Sequence, residues 1–197
     1  MWWKILLLIL WLVLVVYFDA NIISELRDHV SKESFIFGQR NPDVRDLGFG
    51  FFRSHYNGCG WIATYNALVL LGKKPKIKPI IREYELFGAL LFGVFGLDPF
   101  AIGRFFRIRG YRVKTTLRIK KFDTAAENAQ ANVIFYFFKW GGHFFAFQKR
   151  DERFVSYNFY SRDNRPYLMD SVSDTLKKSG ALFAIQFSIN EKKKIHE

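Results

Sequence analysis

Positions 5–18 are apolar without interruption, and no polar stripe breaks the run at helical spacing. A core helix normally carries such a stripe, so the segment reads as a signal sequence rather than as part of a core. Trp2 and Trp3 extend the run, bringing it close to the ~17 residues of the shortest membrane-spanning helices. Ala20 would suit a cleavage site, but Phe18 two positions earlier is bulky. The expectation is an uncleaved signal anchor over 1–24 with the domain outside the membrane. Secretion after cleavage is the alternative.

Beyond the anchor the pattern changes. Residues 21–50 mix charges with Gly38, Asn41, Pro42, Gly48 and Gly50, which predicts a tether over 25–50 with a short helix over 22–30. Ile62, Tyr65, Leu68 and Val69 recur at helical spacing and predict a helix over 60–71, closed by Gly72. A basic loop over 73–79 and a helix over 80–87 follow. The apolar stretch over 88–97 carries Gly88, Gly93 and Gly96 and predicts a buried, closely packed loop. Asp98-Pro99 is a helix start, cap then first helical position, for a helix over 100–109.

A strand over 111–117 and a short helix over 121–130 lead to three closely spaced strands over 132–138, 143–149 and 153–160. Their links have turn composition and predict an antiparallel meander. A helix over 172–178 and a strand over 181–189 complete a domain over 51–190, and 191–197 is a basic tail. Helices first and strands later predict an α+β fold.

The 197 residues suffice for one domain with a real core. A net charge of +12 favours anionic neighbours: lipid headgroups, cell-wall polyanions, nucleic acid or an acidic substrate. The basic residues are spread along the chain without a helix-turn-helix, zinc-finger or RNA-recognition pattern. A solvated basic face is the preferred reading, and no nucleic-acid partner is expected. The single Cys rules out an internal disulfide and a Cys-based zinc site.

That lone Cys59 carries the candidate chemistry. A thiol nucleophile needs its thiolate stabilised, a base within hydrogen-bond reach and a third group to orient the base. Cys59 follows the turn-forming Asn57-Gly58 and stands where a helix begins, with Gly58 and Gly60 leaving room for a substrate backbone. His143 opens a strand straight after Gly141-Gly142. Asn158 lies 15 residues later (158 minus 143), and a hairpin turning at 150–152 brings the two together, with the Asn158 side-chain carbonyl holding the imidazole. The Cys59 sulfur and a His143 ring nitrogen are expected within roughly 4 Å of each other. Against this stands a bland reading: a buried apolar Cys, a turn His and the polar end of a strand. His55 is a rival base, and Asp163 and Asp170 are rival orienting groups.

The segments Asn57-Gly-Cys-Gly-Trp-Ile-Ala-Thr-Tyr-Asn-Ala-Leu68, Gly142-His-Phe-Phe-Ala-Phe147 and Val155-Ser-Tyr-Asn158 together resemble the papain-like cysteine peptidases, most of all the bacterial C39-like branch that includes bacteriocin-leader peptidases. The order Cys, His, then Asn or Asp matches, over roughly residues 51–189. The resemblance implies nucleophile helices packed on a C-terminal antiparallel sheet, and Cys59, His143 and Asn158 as catalytic residues. It also implies a peptide or protein substrate and no metal or organic cofactor. The family usually carries Gln about six residues before the nucleophile to donate to the oxyanion; Arg53 stands there instead, and Asn57 is expected to replace it beside the Cys59 N–H. The expected activity is that of a cysteine peptidase at the membrane or cell exterior. A catalytically decayed binding module and a basic envelope protein with a structural Cys59 are the other readings, and the oligomeric state is left open.

Overall fold

The computed structural model describes residues 2–25, 35–159 and 165–192. From the N-terminus come helix α1 (Trp2–Glu25), a hairpin of β1 (Gly48–Phe49) and β2 (Phe52–Arg53), a single helical turn α2 (Ser54–Asn57), and helices α3 (Cys59–Leu70), α4 (Ile77–Phe87) and α5 (Pro99–Ile108). Then follow β3 (Arg112–Thr116), α6 (Phe122–Glu127), β4 (Ala131–Phe138), β5 (Gly141–Arg150), β6 (Arg153–Tyr157), β7 (Tyr167–Met169), α7 (Val172–Lys178) and β8 (Phe183–Asn190). Six strands form one sheet in the order β3-β8-β4-β5-β6-β7. Every neighbouring pair is antiparallel. The fold is α+β, as the order of helical and strand patterns predicts, and β4 to β7 make the expected meander with one strand more than its three.

Two cores flank this sheet. Phe144 and Ala146 of β5 pack with Trp61 and Ile62 of α3 and with Ile102 and Phe106 of α5. Phe145 and Phe147 pack on the other side with Phe122 of α6 and Leu176 of α7. β5 is therefore buried on both faces, which explains its continuous apolar sequence in place of alternation. Helix α3 lies inside the first core and is buried over Cys59 to Leu68, so its sequence is mostly apolar.

Local signals account for several boundaries. Asp98 Oδ1 accepts from the Phe100 N–H at 3.0 Å, so the predicted cap of α5 forms. Helix α4 starts at Ile77, three residues before its predicted start, because Pro79 falls in the first turn, where its missing N–H would have had no intrahelical partner. Strand β6 ends at Tyr157, so Asn158 lies just past the strand on which it was expected.

The predicted tether is largely domain. Ile36, Val44, Leu47 and Phe49 belong to the first core. The Ile36 N–H donates to Asn66 Oδ1 at 2.9 Å, and Asn66 Nδ2 donates back to the Ile36 carbonyl at 2.8 Å. Scattered apolar residues at irregular spacing pack one by one here, which no periodic pattern announces. Residues 26–34, where most of the predicted short helix falls, and the end of the basic tail lie outside the described residues.

The loop over 88–97 is also unlike its prediction. Its backbone is held down, but Leu90, Leu91, Phe92, Val94 and Phe95 point into solvent. Leu91 and Phe92 have φ of 45° and 55°, a left-handed conformation that costs non-glycine residues roughly 1–2 kcal/mol each. The stretch expected to anchor the chain is one helix, α1, with Trp2 to Leu10, Leu12 and Val13 exposed. Among the described residues, no helix is long and apolar enough to cross a membrane.

Candidate active site

Cys59 is the first residue of α3 and is 9% exposed. The backbone N–H groups of Phe144, Gly60 and Cys59 itself face its sulfur and favour the thiolate. Burial opposes them and prevails: the thiol is pushed up to about 11 from its ordinary 9.0. The glycines around it serve packing rather than substrate approach. A Cβ on Gly58 would meet Ser54 Cβ at 2.6 Å, and one on Gly60 would meet a Leu97 methyl at 2.7 Å.

His143 is the third residue of β5, paired across to Tyr136 and equally buried. Its Nε2 lies 2.6 Å from the backbone carbonyl oxygen of Asn158. A carbonyl only accepts, so Nε2 carries the proton and Nδ1 is the free lone pair of the ring. Burial holds the imidazole below its ordinary 6.5, more than the Asn158 carbonyl raises it. The ring stands edge-on to Tyr136, with centroids 5.9 Å apart.

Asn158 is thus where the hairpin argument put it, beside His143, but a different atom makes the contact. The peptide carbonyl, not the side chain, holds the imidazole. The reason lies in the backbone: Asn158 has φ of 64°, a left-handed turn that ends β6 and swings its carbonyl toward the ring. Its side-chain Nδ2 donates to the Phe144 carbonyl at 3.3 Å, while Oδ1 is buried and unpartnered. One residue therefore fixes both His143 and the neighbouring Phe144, whose N–H meets the Cys59 sulfur.

Among the described residues no hydrogen bond joins the Cys59 thiol to the His143 imidazole: backbone N–H groups face the sulfur and Asn158 holds the ring. Two expectations need correcting. Asn57 does not offer its amide to an oxyanion. Its Nδ2 donates to the carbonyls of Phe49 at 3.2 Å and Gly93 at 2.6 Å, tying the β1 turn to the 88–97 loop. The orienting role of the Asn158 side chain passes to its backbone.

The rivals fare no better. His55 Nδ1 is engaged with the Arg45 carbonyl at 2.9 Å. Asp170 pairs with Arg153 at 3.1 Å on the surface, and Asp163 lies outside the described residues. Arg53 donates to the Asp46 carbonyl at 2.6 Å, away from the thiol. Among the described residues no group of three His, Cys, Asp or Glu side chains is arranged to hold a metal. The sequence reading missed the Phe144 N–H and the Asn158 carbonyl, because backbone groups carry no residue signature. Asn at the end of a strand, a residue that tolerates left-handed turns, is the one hint the sequence contains.

Helices packed over an antiparallel sheet, with a Cys at the start of the central helix and a His on the strand beneath it, define the papain-like peptidase fold. Over 81% of its length the chain is similar to the peptidase domain of Streptococcus ComA, a bifunctional ABC transporter involved in a quorum-sensing pathway; the match covers 100% of that domain with a TM-score of 0.52. Identity over the match is 11%, so what is shared is the fold. No family model and no curated protein matches the sequence.

Proposed function

We propose that the chain is a cysteine peptidase in which Cys59 attacks a peptide carbonyl and His143 moves the protons. The observation that carries this reading is the junction of α3 and β5. On a peptidase-domain fold, the only thiol of the chain sits at a helix start against the strand that presents an imidazole with the correct tautomer. Thiol and imidazole are both neutral in the free site. With the thiol pushed up to about 11 and the imidazole held below its ordinary 6.5 by burial, transferring the proton between them in the free site is uphill. The proton therefore leaves the thiol in concert with attack, as bound substrate closes the contact between Cys59 and Nδ1 of His143.

The sulfur–carbon bond forms as the thiol proton passes to the imidazole. The imidazolium returns that proton to the leaving amine as the carbon–nitrogen bond breaks. Water, losing a proton to His143, then hydrolyses the thioester and restores the thiol. Backbone N–H groups at the start of α3, Cys59 among them, are the donors nearest to the developing oxyanion. The apolar α1 is proposed as the membrane tether, with the domain outside. Its exposed run of Trp, Leu, Ile and Val supports this.

A second reading, a binding module that has lost catalysis, is favoured by the absent Cys59–His143 bond and the commitment of Asn57 elsewhere. Turnover of an activated ester and of a peptide library by the wild-type chain and by Cys59→Ala separates the two. Loss of turnover in a folded Cys59→Ala supports the peptidase. Equal rates in both proteins leave the binding module.

A further inference from the structure

The apolar loop over 88–97 is built to display its side chains. Gly50 has no room for a Cβ, which would fall 2.0 Å from the Phe92 carbonyl oxygen; the Phe51 N–H donates to that same oxygen at 3.0 Å. Asn57 holds the Gly93 carbonyl, and Leu90 bonds Gly96 at 2.9 Å across the loop. With its backbone held at these points, the loop projects Leu91 and Phe95, which are 66% and 69% exposed, from a fixed platform. Phe51 joins them, its ring edge-on to Phe92 at 5.7 Å. Phe87 and Phe100, at the helix ends on either side of the loop, are exposed as well. A solvated loop has no reason to show so many large apolar groups, and such a patch marks an interaction site.

The charges around it select the partner. Arg82 of α4 and Arg104 of α5 are exposed beside the patch: Arg82 lines a cleft with Phe87, and Arg104 hydrogen-bonds the Phe87 carbonyl. The acids nearby are engaged: Glu83 with Arg109, Glu85 with the Gly50 N–H, and Asp98 with the Phe100 N–H. A cleft of about 490 Å³ runs between Lys78, Arg82, Phe87 and Ile108, with a basic rim over apolar walls. Helix α1 lies against α4 and β1, the elements that border this surface. Apolar tips ringed by cations match the layering of an anionic bilayer, acyl chains beneath phosphates.

We propose that this loop and its basic shoulders form a docking surface for an anionic phospholipid membrane. Phe51, Leu91 and Phe95 enter the acyl boundary, and Arg82 and Arg104 meet the headgroup phosphates. The Asn57 bond ties the inserted loop to the turn before Cys59, so docking sets the height of the thiol above the lipid. The surface does not depend on Cys59 being a nucleophile, and its test reads no turnover.

In the full-length chain with Cys59→Ala, a polarity-sensitive fluorophore on Phe95→Cys reports the environment of the loop. Leu168→Cys on the edge strand β7 is the reference outside the patch. The protein is reconstituted into phosphatidylcholine vesicles with and without phosphatidylserine, and with brominated acyl chains. The expected result is a blue shift and bromine quenching at position 95 when phosphatidylserine is present, with position 168 unchanged. The added Arg82→Gln/Arg104→Gln pair should remove the phosphatidylserine dependence. Val94→Cys repeats the measurement should the 95 variant fail to fold. A probe that stays aqueous in every vesicle overturns the proposal, as does a blue shift without phosphatidylserine dependence. A concentration-dependent blue shift with no vesicles present also overturns it and assigns the patch to self-association.

Discussion

Alkylation of Cys59 as a function of pH tests the electrostatics of the site directly. The structure places the thiol two pH units above its ordinary value, at about 11 against 9.0. The thiolate fraction at neutral pH is then about 100-fold below that of an unperturbed cysteine. Higher intrinsic nucleophilicity returns a factor of about eight, from a Brønsted slope of 0.4–0.5. Net labelling by iodoacetamide should be about ten-fold slower than for a free thiol, and slower again because the sulfur is buried. The rate should climb roughly ten-fold per pH unit through pH 9, with no plateau at acidic pH. Folding carries the same signature. Below pH 9 the thiol is protonated folded or unfolded; between pH 9 and about 11 only the unfolded chain ionises. Stability should fall across that window by up to about 3 kcal/mol in wild type relative to Cys59→Ala. A labelling plateau at pH 5–6 would mean a preformed thiolate–imidazolium pair, and the burial argument would be refuted.

Three further outcomes follow from named contacts. Asn158→Gly keeps the left-handed turn and its carbonyl, so turnover should stay within several-fold of wild type, whereas Asn158→Val strains the turn and should lower both stability, by about 1–2 kcal/mol, and turnover; equal loss in both variants would return the orienting role to the side chain. Asn57→Ala should cost about 1–3 kcal/mol in urea unfolding, for two buried hydrogen bonds lost, with turnover of the folded fraction preserved. A 10²–10³-fold drop in kcat there would restore Asn57 to the oxyanion site. Gly142→Ala puts a Cβ 2.5 Å from the Phe135 ring and should destabilise by about 1–3 kcal/mol in thermal melts.

Periodic segments were the legible part of this chain. The pattern of α3, the Asp98-Pro99 start of α5 and the short links between β4, β5 and β6 each act through neighbours in sequence, so they can be read without a fold. The elements that went unread lack a period. β1, β2 and β7 are two or three residues long, and Ile36, Val44 and Leu47 reach the core singly from irregular backbone. The 88–97 loop misled because apolar composition normally signals burial; here the carbonyls of Phe92 and Gly93 are what is buried against the domain, while the side chains turn outward. At the site, spacing correctly brought His143 and Asn158 together but could not say which oxygen would meet the ring. That depends on a single φ angle, and no residue type dictates it.

The contact between His143 and the Asn158 carbonyl bears on how such a site drifts over generations. An orienting group supplied by the main chain survives any exchange at position 158 that keeps the left-handed turn, among them glycine and aspartate. Selection then acts on a conformation rather than on a letter of the alphabet, and the third member of the motif is free to change while its task persists. A lineage of such proteins would blur at that position even as the shape around the thiol stayed fixed.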